Sequence, residues 1–158
     1  MLCMIRAVLR TIPLIVLWFA PLMAVAQDTS PARWEADKTT IFDASEINLN
    51  DFIWLARPVV LFADTPNDPN FKHQLDLLAQ RPEDLAERDV VIITDTDPSA
   101  ASDIRLKLRP RGFQLVLIDK DGRVALRKPA PWTIREISRS IDKSALRQQE
   151  IEDRRIIN

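Results

Sequence analysis

The chain has 158 residues, with 22 basic against 23 acidic side chains, one histidine, one cysteine and two glycines. A charge balance this close to neutral argues against a strong polyanion-binding bias. One histidine and one cysteine argue against a zinc site, which takes three or four ligands. Two glycines and no Gly-x-Ser-x-Gly elbow leave no glycine-rich phosphate cradle and no α/β-hydrolase nucleophile turn.

The first 26 residues read as an address. Arg6 and Arg10 give a positive start, residues 11–25 form an apolar run centred on Leu14, Ile15, Val16, Leu17, Trp18 and Phe19, and Ala24-Val25-Ala26 supplies small residues before a cut ahead of Gln27. That order predicts a secretory signal peptide over residues 1–26. A retained anchor is the alternative, but the apolar core is short for roughly 30 Å of hydrocarbon. Cleavage removes 26 of 158 residues and two of the 22 basic ones, leaving a 132-residue, single-domain chain of net charge −3. It also removes Cys3, the only cysteine. The expected location is periplasmic or secreted, with no disulfide and no stable membrane span after cleavage.

Residues 27–38 are polar, apart from Pro31 and Trp34, and read as a flexible leader. Residues 39–42 are a short strand. Leu49, Phe52, Ile53 and Leu55 suggest a short helix that Pro58 stops. Residues 58–63 are continuously apolar, a strand buried on both faces. A turn-rich loop, 64–69, leads into a helix capped by Asp68 with Pro69 at its first position, and Phe71, Leu75, Leu78 and Ala79 mark its apolar face. Pro82 marks its end. Residues 90–94 are a second buried strand. Asp97-Pro98 opens a helix through Leu108, although the alternation over 104–109 also fits a strand. Gly112 precedes a third strand, 113–118; residues 119–122 form a hairpin turn, and 123–127 return. Thr133 and Glu136 make a capping box for a helix that buries Ile134, Ile137 and Ile141. The predicted organisation is a domain over residues 39–143 and a polar, partly helical tail over 144–158. Strands alternating with helices and ending in a hairpin predict an α/β fold with a mixed sheet covered on both faces.

Arg57-Pro58-Val59-Val60-Leu61-Phe62-Ala63, Arg88-Asp89-Val90-Val91, Gly112-Phe113, Lys120-Asp121-Gly122, Ile141-Asp142-Lys143 and Arg147-Gln148-Gln149-Glu150 carry a resemblance over residues 42–150. The chain resembles an exported bacterial domain-of-unknown-function family with a thioredoxin-like fold, related to a domain of animal extracellular sushi-repeat proteins. The resemblance implies the fold and export and supplies no catalytic residues. In thioredoxins the redox motif follows the first buried strand. The matching stretch here, residues 63–70, contains no cysteine or serine; Thr65 is its only hydroxyl. Thioredoxins also place a cis-proline before the third strand, and Pro110 is the nearby candidate.

Asp64, Asp95 and Asp97 lie just past the carboxyl ends of two strands expected to be parallel neighbours, where open α/β sheets bind ligands. Such carboxylates can hold Mg²⁺ or Ca²⁺, or act as a general base. The simpler reading is capping and turn formation, which Asp97-Pro98 fits directly. Thr65 and Asn67 in the loop, Gln74 on the following helix, and Arg111 are binding candidates, with a helix-surface amide the simpler role for Gln74. Arg105, Lys107, Arg109 and Arg111 concentrate charge before the third strand. Arg135, Arg139, Lys143 and Arg147 recur every four residues as a basic stripe, alternatively a solvated face. His73 lies about 200° around the helix from Phe71, a surface position. Trp34, Trp54 and Trp132 are candidates for an aromatic contact surface, with core the simpler role for Trp54 and a packing staple for Trp132. The expected function is a non-redox module, without cofactor, that binds an envelope protein or anionic component and not nucleic acid. The alternative is a metal-dependent or hydrolytic enzyme using the strand-end carboxylates.

Overall fold

The computed structural model describes residues 29–157, so the predicted signal sequence and Cys3 lie outside the described residues. The strands are β1 (Ile41–Asp43), β2 (Arg57–Phe62), β3 (Val90–Asp95), β4 (Gln114–Ile118) and β5 (Val124–Lys128). They form one sheet in the order β1-β3-β2-β4-β5. β1 and β2 both run parallel to β3, whereas β4 is antiparallel to β2 and β5 to β4.

The uninterrupted apolar runs in β2 and β3 are explained by cover on both faces. Val60, Phe62, Val91, Ile93, Val116 and Ile118 point to one core, under α1 (Ser30–Ala36), a 3₁₀ turn at Leu49–Phe52, and α4 (Asp103–Leu108). Val59, Leu61, Ile92, Leu115 and Leu117 point to the other, under α2 (Pro69–Leu78), α3 (Pro82–Ala86) and α5 (Ile134–Asp142). A last helix, α6 (Ala145–Ile157), follows a break at Ser144. Local signals operate as expected at three points. Asp68 accepts from the Asn70 and Phe71 amides with Pro69 at the first helical position of α2. Thr133 and Glu136 close a reciprocal capping box on α5. Gly122, at φ 81°, turns the β4–β5 hairpin.

Elsewhere the structure departs from the expectation. The leader is not loose: Thr29 caps α1, and Trp34 is 1% exposed, its indole N–H donating to the Val90 carbonyl at 3.1 Å and its ring edge-on to Phe52. A large aromatic with a polar handle docks the helix, and Ser30 and Arg33 add hydrogen bonds to Glu46 at 3.1 and 3.2 Å. Pro82 begins α3 as well as following α2. The helix expected from Pro98 to Leu108 is split: Ala101 at φ 46° ends a 3₁₀ turn over Pro98–Ala100, and Ser102 caps α4 afresh through the Arg105 amide. Trp54 is not core. It is 66% exposed at φ 65°, with its backbone N–H donating to the Lys120 carbonyl at 2.7 Å, so the main chain is anchored and the ring is turned outward. The three tryptophans therefore form no common surface. No cis peptide occurs among the described residues, so the bond at Pro110 is trans.

Replacing Trp34 with alanine is expected to lower unfolding free energy by about 3–5 kcal/mol in urea titration. A loss below about 0.5 kcal/mol, the range of exposed positions, would mean that α1 is not part of the folded unit.

Candidate functional site

The carboxyl ends of β2 and β3 form the edge at which open α/β sheets bind ligands. Asp95, 4% exposed, ends β3 there. Arg105 reaches back from α4 and donates Nε and Nη2 to its Oδ1 at 3.0 and 2.7 Å, and Nη2 also meets the Ala63 carbonyl at 2.8 Å. The Ser102 hydroxyl donates to the other oxygen of Asp95 at 2.6 Å. Both Asp95 oxygens are thus occupied, and the guanidinium is stacked 5.5 Å from the centroid of Phe62. Asp64 is 63% exposed on its side chain and stands 3.8 Å from Arg105, too far for a hydrogen bond. Asp97 caps the 3₁₀ turn at Pro98 through the Ser99 amide and hydroxyl, and those bonds hold its carboxyl below the usual range. Among the described residues no three His, Cys, Asp or Glu side chains converge as metal ligands do. The loop itself is internally satisfied: Thr65 Oγ1 accepts from the Asn67 amide at 3.3 Å, and Asn67 Oδ1 accepts from Lys72 at 2.9 Å. Both side chains remain exposed, as do Arg111 and His73.

Gln74 is neither a ligand contact nor a surface amide. It is 0% exposed, and its amide clamps the Trp132 backbone by accepting from N–H at 2.7 Å and donating to C=O at 2.9 Å. The clamp fixes the approach to α5, and Trp132, beneath the Lys128 ammonium at 4.3 Å, packs on the core as a staple.

The opposite end of the sheet holds a dense ionic cluster. Arg57, first residue of β2 and 1% exposed, donates to Asp119 at 2.9 Å, the Arg88 carbonyl at 3.0 Å and Glu150 at 2.7 Å. Lys120 bridges Asp89 at 2.9 Å and Glu150 at 3.2 Å, and Lys38 meets Asp89 at 2.6 Å. Arg88 holds Asp142 through two bonds of 2.9 Å, while Arg147 meets Glu150 at 3.1 Å. Arg147 is consequently only 8% exposed and leaves the expected stripe. The break at Ser144 puts it on α6, off the axis of α5, so four-residue spacing no longer means one face. Arg135, Arg139 and Lys143 stay exposed.

Residues 48–150 match the family described as Domain of unknown function (DUF4174). The chain belongs to that family. No curated protein matches it significantly. Among solved structures, the reduced 2-Cys peroxiredoxin of Plasmodium vivax is similar at a TM-score of 0.52 and 18% identity, over 66% of this chain and 85% of that one. Thioredoxin peroxidase I of Plasmodium yoelii is 22% identical at a TM-score of 0.47, over 66% and 80%. StoA from Bacillus subtilis is 12% identical at 0.35, over 54% and 81%. At 18% identity the first likeness speaks to the fold alone, which is thioredoxin-like.

Arg57, Arg88, Asp89, Lys120, Asp142, Arg147 and Glu150, seven of the nine charged residues of the sequence signature, meet in the ionic cluster of this DUF4174 domain. Sequence reasoning had the residues but no signal that they converge. Their role there is structural: they fasten the hairpin, α5 and α6 to the start of β2 and β3. Burial alone would raise the Glu150 carboxyl, but hydrogen bonds from Arg57 and Arg147 outweigh it and hold the group below its ordinary value. Asp89 is likewise lowered, as bonds from Lys38 and Lys120 outweigh burial. A carboxyl depressed in the folded state stabilises fully above its unfolded pKa, and that stability is lost as pH falls through the folded one. Denaturant titrations should therefore show stability falling below about pH 4.5. Glu150→Gln should flatten that acid-side slope; an unchanged slope would remove Glu150 from the account.

Proposed function

We propose that this chain is an exported, non-redox thioredoxin-fold module that acts by binding a protein or an anionic component of the envelope. The observation that carries the proposal is the loop between β2 and α2. The position that holds the redox motif in thioredoxins is filled here by Asp64, Thr65, Pro66, Asn67 and Asp68, whose polar groups cap α2 and close the turn. Thr65 Oγ1 accepts from the Asn67 amide, and Asp95, the buried carboxylate at the end of β3, is held by Arg105 and Ser102. An enzyme built on Asp64, Asp95 and Asp97 would have to break these bonds first.

The positive start, apolar run and Ala24-Val25-Ala26 ending support export. The surfaces offered to a partner are the exposed side chains of Asp64, Thr65 and Asn67 at one end, and Arg135, Arg139 and Lys143 along α5.

The test places photo-crosslinkers at Asn67 and Lys143 of the full chain in cells and assays the purified protein for thiol-dependent insulin reduction. The expected result is a discrete envelope adduct from at least one position and no reductase activity. Reductase activity that disappears in Cys3→Ser would overturn the reading, as would the absence of any adduct from both positions.

A further inference from the structure

The face of α5 that remains basic borders a groove. It lies between α3 and the start of α5 and has a volume of about 470 Å³. Four arginines stand on its walls: Arg81 and Arg88 at the two ends of α3, and Arg135 and Arg139 one turn apart on α5. Residues spaced by four on a helix have side chains roughly 5–6 Å apart at Cβ, so two guanidinium groups can converge on one ligand.

Three carboxylates share the walls, but two are committed to Arg81 and Arg88. Asp142 is chelated by Arg88 at 2.9 Å, and Asp84 faces Arg81 at 3.1 Å. Glu87, 74% exposed on its side chain, reaches Arg88 only at 3.9 Å. Among the described residues Arg135 and Arg139 have no carboxylate within ion-pair distance. The amino end of α5 is already satisfied by its capping box, since Glu136 accepts from the Thr133 amide and hydroxyl, each at 2.8 Å. A ligand here would meet side-chain cations. Ser138, between the two arginines, is 8% exposed, and its hydroxyl has no hydrogen-bond partner. A buried polar group without a partner is uncommon in native proteins. The hydroxyl is closed to water and belongs to a residue that lines the groove.

We propose that this groove binds a tetrahedral oxyanion of the phosphate type, held by forked bonds from Arg135 and Arg139 with Arg81 across the groove. Guanidinium groups suit this chemistry, since each offers two parallel N–H donors to a pair of phosphate oxygens. The inference rests on the binding-module reading and names the ligand chemistry of its α5 surface. A soluble phosphate and a phospholipid headgroup present the same group.

The test titrates inorganic phosphate into the full chain at fixed ionic strength, followed by amide chemical shifts. A parallel arm measures sedimentation with vesicles of phosphatidylglycerol in phosphatidylcholine. Saturable shifts centred on residues 135–139 are expected, and Arg135→Gln with Arg139→Gln should weaken phosphate binding roughly tenfold or more. Both side chains are exposed, so the variant should keep the wild-type melting temperature. Phosphate binding without vesicle binding supports the site with a soluble ligand, and both together support a headgroup. No saturable phosphate shifts, or shifts that the double variant leaves unchanged, would overturn the proposal. That failure would leave the crosslinking and reductase results untouched, so the two readings fail separately.

Discussion

A guanidinium at the first residue of a central strand must satisfy its donors inside the protein or destabilise it. Arg57 satisfies them from three directions: a hairpin carboxylate at Asp119, a backbone carbonyl at Arg88 before β3, and a helix carboxylate at Glu150. Desolvating such a charge costs several kcal/mol, and only good geometry with further hydrogen bonds offsets that cost. The arrangement forces distant parts of the chain together. Residues 57, 88, 119 and 150 cannot all meet unless β2 and β3 are neighbours, the hairpin folds back and α6 returns across the end of the sheet. Lys120 and Arg147 then share the second charge of this cluster by pairing with Glu150. The net stabilisation of a buried ionic cluster against an apolar replacement is often small. Its physical consequence here is specificity of docking.

The two ends of the sheet consequently differ in character. At the amino ends of β2 and β3 the charges are buried and cross-linked over long sequence separations. At the carboxyl ends one tight pair, Asp95 with Arg105, seals the sheet, and beyond it the loop of residues 64–68 is exposed and held by its own turns. A thioredoxin-like scaffold here carries capping and turn chemistry in the loop that follows β2. The loop's polar side chains and the arginines of α5 are exposed to solvent.

The sequence made the fold legible because its strongest signals are local. Continuous apolar runs gave β2 and β3, Asp68-Pro69 and the Thr133–Glu136 box gave the starts of α2 and α5, and the turn over residues 119–122 gave the hairpin. The failures come from tertiary contacts that no window contains. Trp34 docks a polar segment because its N–H finds Val90, 56 residues away. Gln74 reads as a surface amide until Trp132, 58 residues on, takes both of its hydrogen bonds. Trp54 looks like core from its apolar neighbours, yet a positive φ turns it out. At the candidate site the sequence says only that residues 63–70 hold no cysteine. Arg147 was misassigned because even spacing was read across the break at Ser144. The ionic cluster was hidden because five separate short motifs reveal nothing about their meeting point.

The central claim is that Arg57 and Glu150 act as one unit that locks α6 to the sheet. A double-mutant cycle of Arg57→Met and Glu150→Gln, followed by urea unfolding at neutral pH, tests it most directly. The account predicts a coupling of at least about 1.5 kcal/mol, with the double variant more stable than the sum of the single losses allows. Losses that add to within about 0.5 kcal/mol would contradict it.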